Sequence, residues 1–297
     1  MLSSLFNFRE KPAPVTANLP RLELSGPVLS ESYQAMVHGC EALGGVERYV
    51  AALKLKHELF AQAAGDGAVQ TMTEETFAGL CAFMGTVRRR IATHLHGENF
   101  TAMKSHLGEL LAEMKATHLV DQRMANFCQQ FPEDNKHRWV RDLAAEMLHN
   151  VDPQRYPLMS RWMWDRKANT GVIRELWHGE DVDGSTIELA DGHTSFVALR
   201  ADIGGWLSEN GIYNDTIYYV DLLCAQIYAN YICAQGGTYL RADFASPHDP
   251  MQYSRRLLGL DGIKQGSSRT RLKAEDGSSF AFDINLLEDM EETNGNS

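Results

Sequence analysis

The chain has 297 residues, 44% of them hydrophobic and 23% charged, with a formal net charge of −11. That composition excludes a disordered or fibrous chain, and the acidic balance argues against general nucleic-acid binding. The most apolar run, Ile217 to Cys233, is interrupted by Asp221, Gln226 and Asn230 and does not read as a membrane span.

Residues 1–29 hold Pro12, Pro14, Pro20 and Pro27 and show no periodicity, so they read as an extended arm. Met1–Glu10 lacks a basic stretch followed by a long apolar run, and a cytoplasmic location is expected. Five cysteines, an odd number and none spaced C-x-x-C, fit reduced core positions.

Residues 30–131 predict a helical bundle. A first helix, Ser30 to Ala42, stops at Gly44-Gly45. A second carries Val46, Tyr49, Val50, Leu53, His57 and Phe60 on one face, with His57 read as a satisfied core histidine. Thr71-x-x-Glu74 reads as a capping box for a third, with Arg88 to Arg90 outside. A fourth buries Met103, Leu107, Leu110, Leu111 and Met114, and a short fifth follows from Val120 to Gln130.

Residues 132–287 predict a helical part carrying one or two small β-hairpins. Helix 136–149 presents Val140, Leu143, Ala144, Met147 and Leu148. Asp152-Pro153 and Pro157 open another helix, interrupted at Asn169-Thr170-Gly171 and resumed from Val172 to Trp177. Thr186 to Ala190 and Thr194 to Leu199, joined through Asp191-Gly192, read as a hairpin. A short helix around Trp206 follows. Residues 215–235, apolar on nearly every side, should form a central helix. After a short helix from Met251 to Leu258, a second hairpin is expected around Asp276-Gly277. Residues 288–297 read as a disordered acidic tail. The class is therefore mainly α.

Two Glu-x-x-His pairs, Glu146/His149 and Glu175/His178, have the spacing of di-metal ligands on one helical face. On a helical wheel, Glu146 and His149 lie roughly 120° or more from the apolar centre of their helix. Glu175 and His178 likewise point away from Val172, Ile173, Leu176 and Trp177. All four are expected on solvated faces unless those two faces meet each other, so no metal site is favoured and no cofactor is assigned. His94-Leu95-His96 has no third ligand nearby in sequence.

An aromatic–basic cluster is formed by Arg161, Trp162, Trp164, Asp165, Arg174 and Trp177. Trp162 and Trp164 cannot face the same way on a helix, so one should line a groove or an interface. Arg161 can pair with Asp165 at i, i+4. Such a surface suits a partner protein, a second copy of the chain or a planar or anionic small molecule. Asp221, if buried, needs a partner such as Arg200 or Arg241. Arg241, Asp243 and His248 fall in a polar loop cluster after the central helix, a place where catalytic groups sit well. Basic residues 254–273 precede an acidic segment that could mask them.

Leu148-His149-x-x-Asp152-Pro153-x-x-Tyr156-Pro157 resembles a helix-turn-helix junction of helical DNA-repair glycosylase-like domains. The glycine loop and downstream aspartate of those domains are absent, and no residue role is carried over. Phosphate-loop, dinucleotide, nucleophile-elbow and H-E-x-x-H signatures are absent as well. The expected function is a cytosolic binding or accessory protein that docks a partner or ligand through the Trp/Arg segment. The alternatives are an enzyme with a pocket between helix 215–235 and segment 155–178, and a nucleic-acid binder using residues 254–273.

Overall fold

The computed structural model describes residues 19–178, 186–235, 251–261, 270–273 and 279–282. Among them the chain is mainly helical, with ten α-helices. No described helix is long and apolar enough to cross a membrane.

Helix α1, Gly26–Cys40, starts before Ser30 because the Ser25 hydroxyl accepts the Val28 N–H and Pro27 occupies the first turn. Helix α2, Val46–Ala64, buries Tyr49, Val50, Leu53, His57 and Phe60 along one stripe. Helix α3, Glu74–Ala82, is capped by Thr73, whose Oγ1 accepts from Thr76 N at 3.1 Å, in place of the expected Thr71. After it the chain turns, and Arg88 is buried against Asp261 rather than exposed. Helices α4, Gly97–Leu110, and α5, Val120–Cys128, pack together. Helix α6, Trp139–Val151, is buried along almost its whole length. Helix α7, Val172–Leu176, is short; α8, His193–Glu209, and α9, Thr216–Gln235, are long. Helix α10, Gln252–Leu257, completes the set. Thr270–Lys273 (β1) and Ser279–Phe282 (β2) pair antiparallel, Thr270 opposite Phe282.

Helix α9 is packed by α1, α2, α7, α8 and α10, as its unbroken apolar surface requires. Helix α2 sits between α6 and α9. One hydrophobic cluster runs from Leu22 to Leu260.

Two expected elements take other forms. Thr194 to Leu199 is not a strand, because it belongs to α8. Phe196, Leu199, Ile203 and Leu207 are buried at helical spacing, and Asp191-Gly192 is a helix start. That start is capped from another element: Asp121 Oδ1 on α5 accepts the His193 N–H at 2.8 Å. Residues 152–171 are turns rather than a helix. The Ser160 carbonyl accepts from Met163 N and Trp164 N, and Val172 N and Ile173 N return to the Trp162 and Met163 carbonyls. The chain doubles back on itself, closely enough that a methyl on Gly171 would lie 2.8 Å from the Met163 oxygen.

A second close approach joins distant parts of the chain. Gly259, at φ +71, would place a Cβ 1.7 Å from the Phe83 oxygen. Gly259→Ala should lower stability by about 2 kcal/mol or more. Gly205→Ala, in α8 with nothing within 4 Å of a new methyl, should raise it by roughly 0.5–1 kcal/mol. Urea unfolding of the two variants checks the pair of signs.

Candidate metal centre

Three helices bring three titratable side chains to one point: His57 from α2, His149 from α6 and Asp221 from α9. One ligand atom of each lies within 4.8 Å of the others, and all three residues are buried. His149 Nε2 stands 3.1 Å from Asp221 Oδ2. The His57 and His149 rings meet edge to face, 4.9 Å between centroids. Among the described residues no other group of three histidine, cysteine, aspartate or glutamate side chains converges in this way.

Hydrogen bonding fixes how His149 is presented. Its Nδ1 lies 2.8 Å from the Tyr156 carbonyl oxygen, which can only accept. Nδ1 therefore carries the proton, and in the neutral ring Nε2 keeps a free lone pair 3.1 Å from Asp221 Oδ2. A nitrogen lone pair and a carboxylate oxygen then stand close together, an opposition that a proton or a metal cation relieves. Asp221 Oδ2 makes no hydrogen bond among the described residues, His149 Nε2 included.

His57 is the more exposed anomaly in chemical terms, though it is buried in space. Neither of its ring nitrogens has a hydrogen-bond partner among the described residues. A buried polar atom left unpaired costs about 1–3 kcal/mol. Burial, then the neighbouring His149 and Lys56, hold its pKa well below the ordinary histidine range. The ring is therefore neutral, which is the ligating form.

A second buried pair flanks the three. Lys56 Nζ lies 3.5 Å from a Glu146 oxygen and donates to the Leu258 carbonyl at 2.8 Å. Asn150 Nδ2 donates to Glu146 at 3.2 Å, and Thr86 Oγ1 reaches its other oxygen at 3.5 Å. Burial pushes the Lys56 pKa down and the Glu146 pKa up, each offset by the other's charge.

These positions correct the wheel. Glu146 is 1% exposed and His149 4% exposed, so neither sits on a solvated face. Helix α6 is covered on its polar side too, by α2 and by the 160–165 turn. Arg161 N and Nη2 donate to Asp142 at 2.9 and 2.6 Å, and Arg138 Nη2 reaches Asp165 at 3.0 Å. The expected Arg161–Asp165 pair is thus replaced by two pairs onto α6. Of the second Glu-x-x-His, Glu175 is half-buried and His178 exposed, and neither joins the cluster.

Trp162 is 5% exposed and Trp164 0%. Because their segment is a turn, both face inward. Trp164 Nε1 donates to the Leu189 carbonyl at 3.1 Å, and Trp162 packs on Tyr228, 5.9 Å between centroids. Trp177 is half-buried in a bridge with Leu24, and Arg174 is half-buried beside it on α7. The anticipated partner of Asp221, Arg200, instead donates to the Pro153 and Gln154 carbonyls at 2.6 and 3.1 Å. Arg241, Asp243 and His248 lie outside the described residues, as do the acidic tail 288–297 and residues 262–269 of the basic segment before it. Cys40, Cys81 and Cys224 are buried and free, whereas Cys233 is exposed.

Sequence reading passed over Lys56 and took His57 for a satisfied core histidine. His57 is a core residue, but its two nitrogens are unpartnered among the described residues, which corrects the expectation of a satisfied one. Their signal was present: adjacent ionisable residues on and beside the apolar stripe of one long helix. No family model, curated protein or solved structure matches the chain.

The depressed His57 pKa has a thermodynamic consequence for chelator-treated protein. Below about pH 6.5 the unfolded chain binds a proton at this residue that the folded chain refuses. Stability from this source is therefore full above that pH and falls as pH drops, by at most about 1.4 kcal/mol per unit. Guanidinium unfolding at pH 7.5 and 5.5 should show a smaller loss for His57→Phe than for the unaltered chain. Equal losses would contradict this.

Proposed function

We propose that the protein is a metal-dependent enzyme whose buried centre is formed by His57, His149 and Asp221. The observation that carries the reading is His57: a neutral imidazole in the core, both nitrogens unpartnered, directed at a second imidazole and a carboxylate.

The donor set fits the group. Ligand atoms bound to one ion at about 2.0–2.2 Å stand roughly 3–4 Å apart. The present separations lie within 4.8 Å, so ligation calls for the three atoms to draw together by about 1 Å. Two imidazoles and a carboxylate, with no thiolate, suit a divalent first-row metal such as zinc or iron(II). Three protein ligands leave a coordination position for water or substrate, which is the arrangement of catalytic rather than structural sites. The Tyr156 carbonyl behind His149 supports its ring as an outer partner. The buried Lys56–Glu146 pair stands beside the centre, on the residues adjoining His57 and one turn from His149.

Docking through the Trp/Arg segment draws no support from this geometry, because Trp162 and Trp164 are closed in the core and Arg161 is engaged by Asp142.

Purified full-length protein, stripped and then loaded with zinc, cobalt(II) or iron(II), should retain one ion per chain by elemental analysis. Its melting temperature should rise with free metal, as linkage requires. His57→Phe, which fills the same buried space without a ligand atom, should fold and lose both effects. His178→Ala, at an exposed position, should keep them. Equal metal retention by His57→Phe, or none by the unaltered chain, would overturn the reading.

A further inference from the structure

A surface cleft of about 290 Å³ opens between α2 and the loop from α8 to α9. Its α2 wall is Glu47, Val50 and Lys54. His57 is the next residue on that same stripe, one turn further along the helix. The opposite wall includes Asp215 and Tyr219 at the start of α9, the helix that carries Asp221. The cleft and the buried cluster are thus successive layers of one α2–α9 interface.

Tyr218, which does not itself line the cleft, touches both the cleft wall and the cluster. The Tyr218 ring centroid lies 5.3 Å from that of His57, and Nζ of Lys54, a residue of the cleft wall, lies 5.8 Å from it. Tyr218 is half-buried, whereas Lys56 and Glu146 on the far side of the cluster are almost fully enclosed.

The charges of the cleft favour a cation. Lys54 is matched by Asp215 at 2.7 Å, and the Glu47 carboxylate, met by the Tyr219 hydroxyl at 3.4 Å, is left as the net charge. An anionic, partly walled cleft concentrates cations and raises their association rate.

We infer that this cleft is the route by which a divalent cation reaches the His57–His149–Asp221 site, with Tyr218 as the partition it must pass. The inference rests on the metal reading above. Glu47 and Asp215 draw the hydrated ion in. Rotation of the Tyr218 ring opens the way to His57, which becomes its first inner ligand.

Stopped-flow loading of stripped full-length protein with cobalt(II), followed by visible absorption at low salt, tests the route. Glu47→Gln and Asp215→Asn should slow loading about three- to tenfold. Lys54→Met, which removes the opposing charge, should speed it by a similar factor, and added salt should shrink all three differences. Tyr218→Ala should accelerate both loading and chelator-driven release, with the final cobalt content unchanged. Glu47 is exposed and Lys54 partly so, so the charge variants keep the test valid if Tyr218→Ala fails to fold. Unaltered rates in the charge variants, with one cobalt still bound per chain, would overturn the route and leave the site standing. No cobalt uptake by the unaltered chain would overturn both.

Discussion

The structure depends on one constraint: five ionisable side chains are buried where α2, α6 and α9 meet, and each must find a partner inside the core. Lys56, His57, Glu146, His149 and Asp221 are all nearly inaccessible. Burying charge without a partner costs several kcal/mol per ion, so the register of the three helices is tightly specified by these contacts. A slip of one turn along α2 would take Lys56 from Glu146 and His57 from His149. The cluster also reaches beyond the helices. The Tyr156 carbonyl holds His149 and the Leu258 carbonyl holds Lys56, so segments far apart in sequence are tied to the same point.

Partner satisfaction is uneven across this cluster, and the unevenness has chemical content. Lys56, Glu146 and Asn150 bond one another or nearby carbonyls. His57 and the Asp221 oxygen facing His149 lack hydrogen bonds among the described residues. Buried polar groups in folded proteins are overwhelmingly paired, and an exception calls for an explanation: bound water, an ion, stored strain, or a redox or catalytic role. A cation bound between two imidazoles and a carboxylate would engage one His57 nitrogen and the unpaired Asp221 oxygen together. The turn of residues 160–165 then has a supporting part. Its Arg161 and the Arg138–Asp165 pair clamp the outer side of α6, which fixes the axis on which His149 stands.

Much of the fold was legible in the residues. The stripe on α2 and the all-round apolar surface of α9 follow from spacing alone, because burial on one face and burial on every face leave different patterns. The Trp-rich segment was not legible. A helix reading forced Trp162 and Trp164 apart, while the actual turn, held by Ser160 and by the return of Val172 and Ile173, brings both inward. Thr194 to Leu199 misled in the opposite sense, because its short apolar alternation hid a helical period that shows only when Ile203 and Leu207 are included. The centre itself failed on the wheel for a physical reason. A wheel assigns polar residues to water, and on α6 the polar side is packed against other polar side chains. Asp142, Glu146 and His149 each have their partner on another element or a distant turn. Those partners lie far away in sequence, where periodicity within one helix carries no information about them.

The central claim is that His57, His149 and Asp221 are ligands of one metal ion, and X-ray absorption on zinc-loaded protein tests it most directly. The account predicts a first shell of nitrogen and oxygen at about 2.0–2.2 Å, with no sulfur, and the outer scattering of two imidazole rings. Substituting His57 by Phe should remove the bound zinc. A shell containing sulfur, or one of oxygen alone without imidazole scattering, would place the ion elsewhere and contradict the account.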